Sequence, residues 1–156
     1  MKLKVKLFKG AILFFGAIIL LFTTLIGIQL FTSTNTQLTS YELIFIAAIL
    51  LTVYFSFNIL FYLFKVVDLI AKKQAFTEAI LRFVKRIKKT IFYLACSFCG
   101  ILPLVYHGAD IEDAPGLMLL GIGVVLIPFA IFLFAQIVEE LFKSAIELQK
   151  ENDLTV

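Results

Sequence analysis

Four long stretches of this chain contain no Asp, Glu, Lys or Arg, and they fix most of what it can become. They are Ala11–Phe31, Leu43–Phe64, Ile91–Tyr106 and Leu117–Val138. A helix rises about 1.5 Å per residue, so about 20 apolar residues cross the roughly 30 Å of bilayer hydrocarbon. Lipid offers no hydrogen bond to an exposed backbone, so each stretch is expected to be helical. The third is short, about 24 Å as a helix. Of the 156 residues, 62% are hydrophobic and 16% charged. A water-soluble domain holds about 45–50% apolar residues, so this chain would leave more apolar surface in water than it could bury.

The cations set the orientation. Lys2, Lys4, Lys6 and Lys9 precede the first stretch. Lys65, Lys72, Lys73, Arg82, Lys85, Arg86, Lys88 and Lys89 lie between the second and third, and Lys143 and Lys150 follow the fourth. These are all 14 basic residues. The connections 32–42 and 107–116 carry Glu42, Asp110, Glu112 and Asp113 instead. Basic flanks stay in the cytoplasm during insertion. Both ends and the connection 65–90 are therefore expected inside, with a cytoplasmic tail over 139–156. Tyrosines favour the headgroup level. Tyr41 and Tyr106 fall at the expected outer boundary, Tyr62 and Tyr93 at the inner one, and Tyr54 mid-span. Net charge is +3, but its placement beside apolar runs points to a membrane face and not to nucleic acid.

The basic start followed by an apolar run has the order of a secretory signal. The run is about 21 residues, beyond the 7–15 of a signal core, so a retained first span is expected. Before the third stretch, Ile80, Phe83, Val84 and Ile87 recur at helical spacing opposite Arg82, Lys85, Arg86, Lys88 and Lys89. This pattern predicts an amphipathic helix at the inner surface, capped by Thr77 and bending into the third span. The expected fold is all-α: one polytopic membrane domain over 1–156, four transmembrane helices as two hairpins, plus that short cytoplasmic helix. Asn58–Thr77 also lays on Gln136–Thr155, matching Ile59, Leu63, Phe64, Lys65, Lys72 and Thr77. Either a duplicated hairpin or shared membrane-exit chemistry produces such a match.

Residues that carry chemistry are few. Cys96 and Cys99 share a helical face, but no base lies near them in the sequence, and thiolates need a polar or positive setting. Packing is the favoured role for both. His107 is the sole histidine, against about four ligands for a structural zinc site; it reads as a loop residue among carboxylates. Thr52, Ser56, Asn58 and Gln136 are polar groups within spans and are read as interhelical contacts. Pro103 and Pro128 should kink their helices, and Gly121 and Gly123 should let helices approach. In the tail, Glu139–Lys143 and Lys143–Glu147 have the spacing of helix-stabilising pairs. Glu139, Glu140, Glu147, Glu151 and Asp153 form a candidate docking face for a cytoplasmic protein. Arg82, Lys85, Arg86, Lys88 and Lys89 form a candidate membrane-surface face for anionic lipid.

The segment from Phe134 through Glu139-Glu140-Leu141-Phe142-Lys143 to Asp153-Leu154-Thr155-Val156 resembles the C-terminal signature of the bacterial family catalogued as domain of unknown function 2975. Ala75-Phe76-Thr77-Glu78 resembles its Pro-Phe-Thr element after the second span, with alanine in place of proline. The resemblance implies a small four-span protein of the bacterial plasma membrane. It also implies a membrane partner for a small helix-turn-helix regulator. It supplies no catalytic residues.

Four classes of function come into question. A regulatory or accessory membrane protein fits best, since every sizeable polar segment lies on the expected cytoplasmic side. A small transporter or channel subunit, working as a homo-oligomer, lacks ionisable residues in its spans, where ion pathways place them. An immunity protein against a membrane-active peptide fits the size without a residue signature. No nucleophile–base pair, phosphate loop, cofactor motif or metal-ligand set marks an enzyme, so neither catalysis nor a cofactor is expected.

Overall fold

A computed structural model describes residues 2–33, 39–72 and 77–154. Lys73, Ala75, Phe76 and Thr155 lie outside the described residues, as does the middle of the connection 32–42. The chain is helical throughout its described length: α1 (Lys2–Ser33), α2 (Ser40–Ala71), α3 (Glu78–Phe98), a 3₁₀ turn (Cys99–Ile101), α4 (Leu102–Ile111) and α5 (Pro115–Leu154). Four segments are long and apolar enough to cross a membrane: Val5–Gln29, Ser40–Ala71, Glu78–Ile111 and Pro115–Asn152. Each contains one of the four uncharged stretches whole or nearly so, and each runs past it. The 40 residues of α5 span about 60 Å, twice the hydrocarbon thickness.

Successive spans run antiparallel, with α3, the 3₁₀ turn and α4 forming one of them. Lys9 at the start of α1 meets Asp68 at the end of α2, while Gly16 faces Leu60 and Phe57. Between α2 and the next segment the facing pairs are Tyr62–Phe83, Phe55–Tyr93, Ala48–Gly100 and Tyr41–His107, one number falling as the other rises. Between α3 and α5 the pairs Glu78–Lys150, Lys88–Glu139 and Phe92–Phe132 run the same way. Val105 meets Gly121 where α4 turns into α5.

The helices stand in a row. α1 packs substantially only on α2, and α5 only on α3 and α4. α3 packs extensively on both α2, across the basic connection, and α5. The core centres on α3, where Ile80, Leu81, Val84, Ile91 and Ala95 are buried. Most other large apolar side chains face outward; Leu13, Phe14, Leu119 and Leu133 are all more than half exposed. Hydrocarbon is the solvent that makes such a surface stable, because lipid tails cover it without cost.

Two local breaks have clear causes. Pro103 has no N–H and its ring crowds the carbonyl four residues back, at Cys99. The helix tightens there into the 3₁₀ turn before α4 resumes. At the other end of α4, Asp113 adopts a left-handed backbone (φ 48°), and the Ala114 amide donates to Ala109 O at 2.9 Å. This is a Schellman stop, with Pro115 then starting α5. Pro128 does not interrupt α5.

The amphipathic helix differs from expectation. α3 runs as one continuous helix from Glu78 past Ile91, with no helix break between lead-in and span. Its apolar face, with Ile80 and Val84, is buried against protein and not laid on a membrane surface. Helical periodicity reveals an apolar face but not what covers it.

Candidate functional site

Charge collects at one end of the row. Lys9 Nζ donates to Asp68 Oδ1 at 2.8 Å, and Lys72 lies 3.5 Å from Asp68 Oδ2. Lys88 Nζ lies 2.6 Å from Glu139 Oε2. That oxygen is buried and makes no aligned hydrogen bond, so the charge of Lys88 compensates it. Lys150 Nζ donates to Glu78 Oε1 at 2.7 Å. These contacts tie α1 to α2 and α3 to α5 at the same end of the row, Lys9–Asp68 and Lys88–Glu139 close to the apolar stretches and Glu78–Lys150 about 15 Å farther along α3 and α5.

The pairing moves protons as well as charge. Asp68 is held below the usual carboxylate range by the hydrogen bond from Lys9 and its positive charge, with Lys72 adding to both. Glu78 is lowered by the hydrogen bond and charge of Lys150, and Lys150 is raised by the same contact. Glu78 and Lys150 are exposed and Asp68 is partly exposed, so solvent screening keeps each pair weak.

The aromatic rings mark two levels. Lys9 lies 4.5 Å from the Phe64 ring, Arg86 lies 6.0 Å from Tyr62, and Lys89 lies 5.8 Å from Tyr93. At the opposite end Tyr41 packs on His107 with centroids 4.1 Å apart. Glu42 reaches back to accept from the Thr39 amide at 2.8 Å, starting α2. A shallow groove there is lined by Tyr106, Asp110, Asp113 and Met118.

The residues singled out from sequence fare differently. Among the described residues, Thr52, Ser56, Asn58 and Gln136 make no interhelical hydrogen bond. Ser56 donates to Thr52 O and Asn58 to Tyr54 O, each within its own helix. The Thr52 hydroxyl is buried without a partner, and Gln136 is exposed. A carbonyl four residues back is always within reach and costs no packing. Gly121 touches Val105, whereas Gly123 has nothing within 4 Å of an added Cβ. Cys96 is an exposed free thiol, and Cys99 a half-buried one. Among the described residues no group of His, Cys, Asp and Glu has the arrangement of a metal site.

On α3, Arg82, Lys85, Arg86 and Lys89 are exposed, but Lys88 turns inward to Glu139. On α5, Glu139 is therefore engaged inside the molecule, and the tail pairs Glu139–Lys143 and Lys143–Glu147 do not form among the described residues. Glu140, Glu147 and Glu151 remain exposed. The side chain of Asp153 is outside the described set. Sequence reading missed Lys9, Asp68 and Glu78, whose partners are 59 to 72 residues away. It also missed Leu141 and Leu148, exposed by about two thirds on the α5 extension (65% and 66%).

Comparison with known proteins bears on this geometry. A family model described as "Protein of unknown function (DUF2975)" matches residues 28–156. A protein of Bacillus subtilis (strain 168) called "Uncharacterized membrane protein YoaS" is 34% identical over 97 residues, 62% of this chain. The match spans 61% of that relative's length. No solved structure matches.

Proposed function

Because this chain belongs to the family described as "Protein of unknown function (DUF2975)", and is a membrane protein with four candidate spans, we propose that it is a regulatory or accessory protein of the bacterial plasma membrane. In this reading the basic end, with both termini, faces the cytoplasm, and the protein acts there by binding a cytosolic regulator.

The far end of α5 carries this reading. The helix continues past Val138 to Leu154. Leu148 lies ten residues past the apolar stretch, about 15 Å along the helix axis. That is beyond the headgroup layer, which adds only about 5–8 Å per side. A leucine exposed in water forgoes about 1.5–3 kcal/mol of burial. Leu141 and Leu148 are seven residues apart and so share a face, with Glu140 and Glu147 beside them. An apolar ridge edged by carboxylates suits a partner with an apolar groove and a basic rim.

The test is a bacterial two-hybrid screen with the full chain as bait. The double variant Leu141→Ser with Leu148→Ser, and truncation after Val138, should both lose the cytosolic partner while the protein stays in the membrane. A partner that survives both changes, or no cytosolic partner, contradicts the proposal. Self-association lost on the same substitutions would make the ridge a dimer contact and also contradict it.

A further inference from the structure

α3 presents four exposed cations on the face that carries exposed apolar side chains farther along the helix, with Arg82 and Lys85 also acting on Glu78 through their charge. Arg82, Lys85, Arg86 and Lys89 recur at spacings of three and four, and all are exposed. The opposite face is buried through Ile80, Leu81, Val84 and Ile91. Among the described residues none of the four cations lies within ion-pair distance of a carboxylate, and the nearby Glu78 is engaged by Lys150. Continued along the same unbroken helix, their face carries Phe92, Tyr93 and Cys96, all exposed and within an uncharged stretch.

One helix face therefore offers cations, then aromatic rings, then apolar surface, in the order in which a phospholipid offers phosphate, glycerol and acyl chain. Two rings sit at the junction. Lys89 lies over Tyr93, and Arg86 lies beside Tyr62 from α2. We propose that Lys85, Arg86 and Lys89, with Tyr62 and Tyr93, form a binding site for the headgroup of an anionic phospholipid whose acyl chains lie along Phe92 and Cys96. The guanidinium of Arg86 supplies paired donors for a phosphate, and the two lysines supply point charges. A cation near a headgroup layer is worth about fivefold in anionic-lipid affinity. The site needs only that this end meet a headgroup layer, so it stands apart from the docking reading of α5.

The chain has no tryptophan, so Phe92→Trp gives a single tryptophan on this face, excited selectively at the red edge beyond tyrosine absorption. The full-length protein is reconstituted in vesicles of phosphatidylcholine with brominated phosphatidylglycerol or brominated phosphatidylcholine, at fixed ionic strength. Quenching should show preferential occupancy by the anionic lipid. Each of Lys85→Gln, Arg86→Gln and Lys89→Gln should lower the preference by up to about fivefold, and the triple variant should bring it to parity. Quenching by brominated phosphatidylcholine should not change, which shows the triple variant folded and embedded. Leu126→Trp on exposed α5 should report parity throughout. Parity at Phe92→Trp in the parent, a preference that survives the triple change, or an equal preference at Leu126→Trp would overturn the site. Loss of the preference on adding inorganic phosphate would assign the cations to a free anion, and loss on adding polyglutamate to a protein partner. Either result overturns the headgroup assignment.

Discussion

At the scale of single residues, two glycines set how closely the helices approach. A Cβ added at Gly100 would lie 2.7 Å from the Ala48 Cβ, and one at Gly121 would lie 2.6 Å from Val105 Cγ1. Neither Cβ of the Gly100 contact can rotate away, so the 3₁₀ turn and α2 would have to separate. Gly100→Ala should cost about 1–3 kcal/mol, the usual range for overpacking. Gly123→Ala meets nothing within 4 Å and should be neutral. Thermal aggregation of the detergent-solubilised variants checks both, and equal melting points would contradict the packing. The sequence pointed to Gly121 and Gly123 alike, because spacing shows that a residue is small but not which face it occupies. Gly100 has no such signal: its constraint comes from Ala48, some fifty residues earlier. Polar residues behaved similarly. Asn58 and Ser56 were legible as groups needing partners, but the cheapest acceptors lie in their own helix.

At the scale of helices, the spans were legible because charge is absent from them, a local property that survives folding. Their true lengths were legible only in part. The basic lead-in pointed to a helix starting at Thr77, and α3 does begin at Glu78 with Thr77 before it; the continuation of α2 to Ala71 had no such signal, since polar residues remain helical once neighbours pack and ion pairs form. Those pairs join residues too distant in sequence for periodicity to find. They also give the basic end a pH response. Asp68 and Glu78 have folded values below their ordinary ones. Stability from a depressed carboxyl is present above its unfolded value and is lost as pH falls through the folded value. Lys150 is raised, so its share is present below its unfolded value and lost in strong alkali. The Lys9–Asp68 and Glu78–Lys150 clasps should therefore hold at neutral pH and open only in acid below the ordinary carboxylate range. Hydrogen exchange in detergent checks this: acid should deprotect the residues around Asp68 and Glu78, after correction for intrinsic exchange rate, before the middle of α3. Uniform protection in that acid range would contradict it.

For the whole molecule, the antiparallel row brings every described ion pair to one end and Tyr41, His107, Asp110 and Asp113 to the other. Tyr41 and Tyr62 are about 32 Å apart along α2, close to the roughly 30 Å hydrocarbon thickness. The count of crossings and the clustering of charge were legible from sequence. The open row and the central place of α3 were not, since they depend on which faces meet. The proposed function follows from one claim, that four crossings leave the basic end in the cytoplasm. The most direct measurement uses a cysteine-free background, Cys96→Ser with Cys99→Ser, and single cysteines at the two ends. A membrane-impermeant maleimide applied to intact cells should label Asp110→Cys, and should label Lys143→Cys only after the membrane is opened. Labelling of Lys143→Cys in intact cells, with Asp110→Cys protected, would contradict the account.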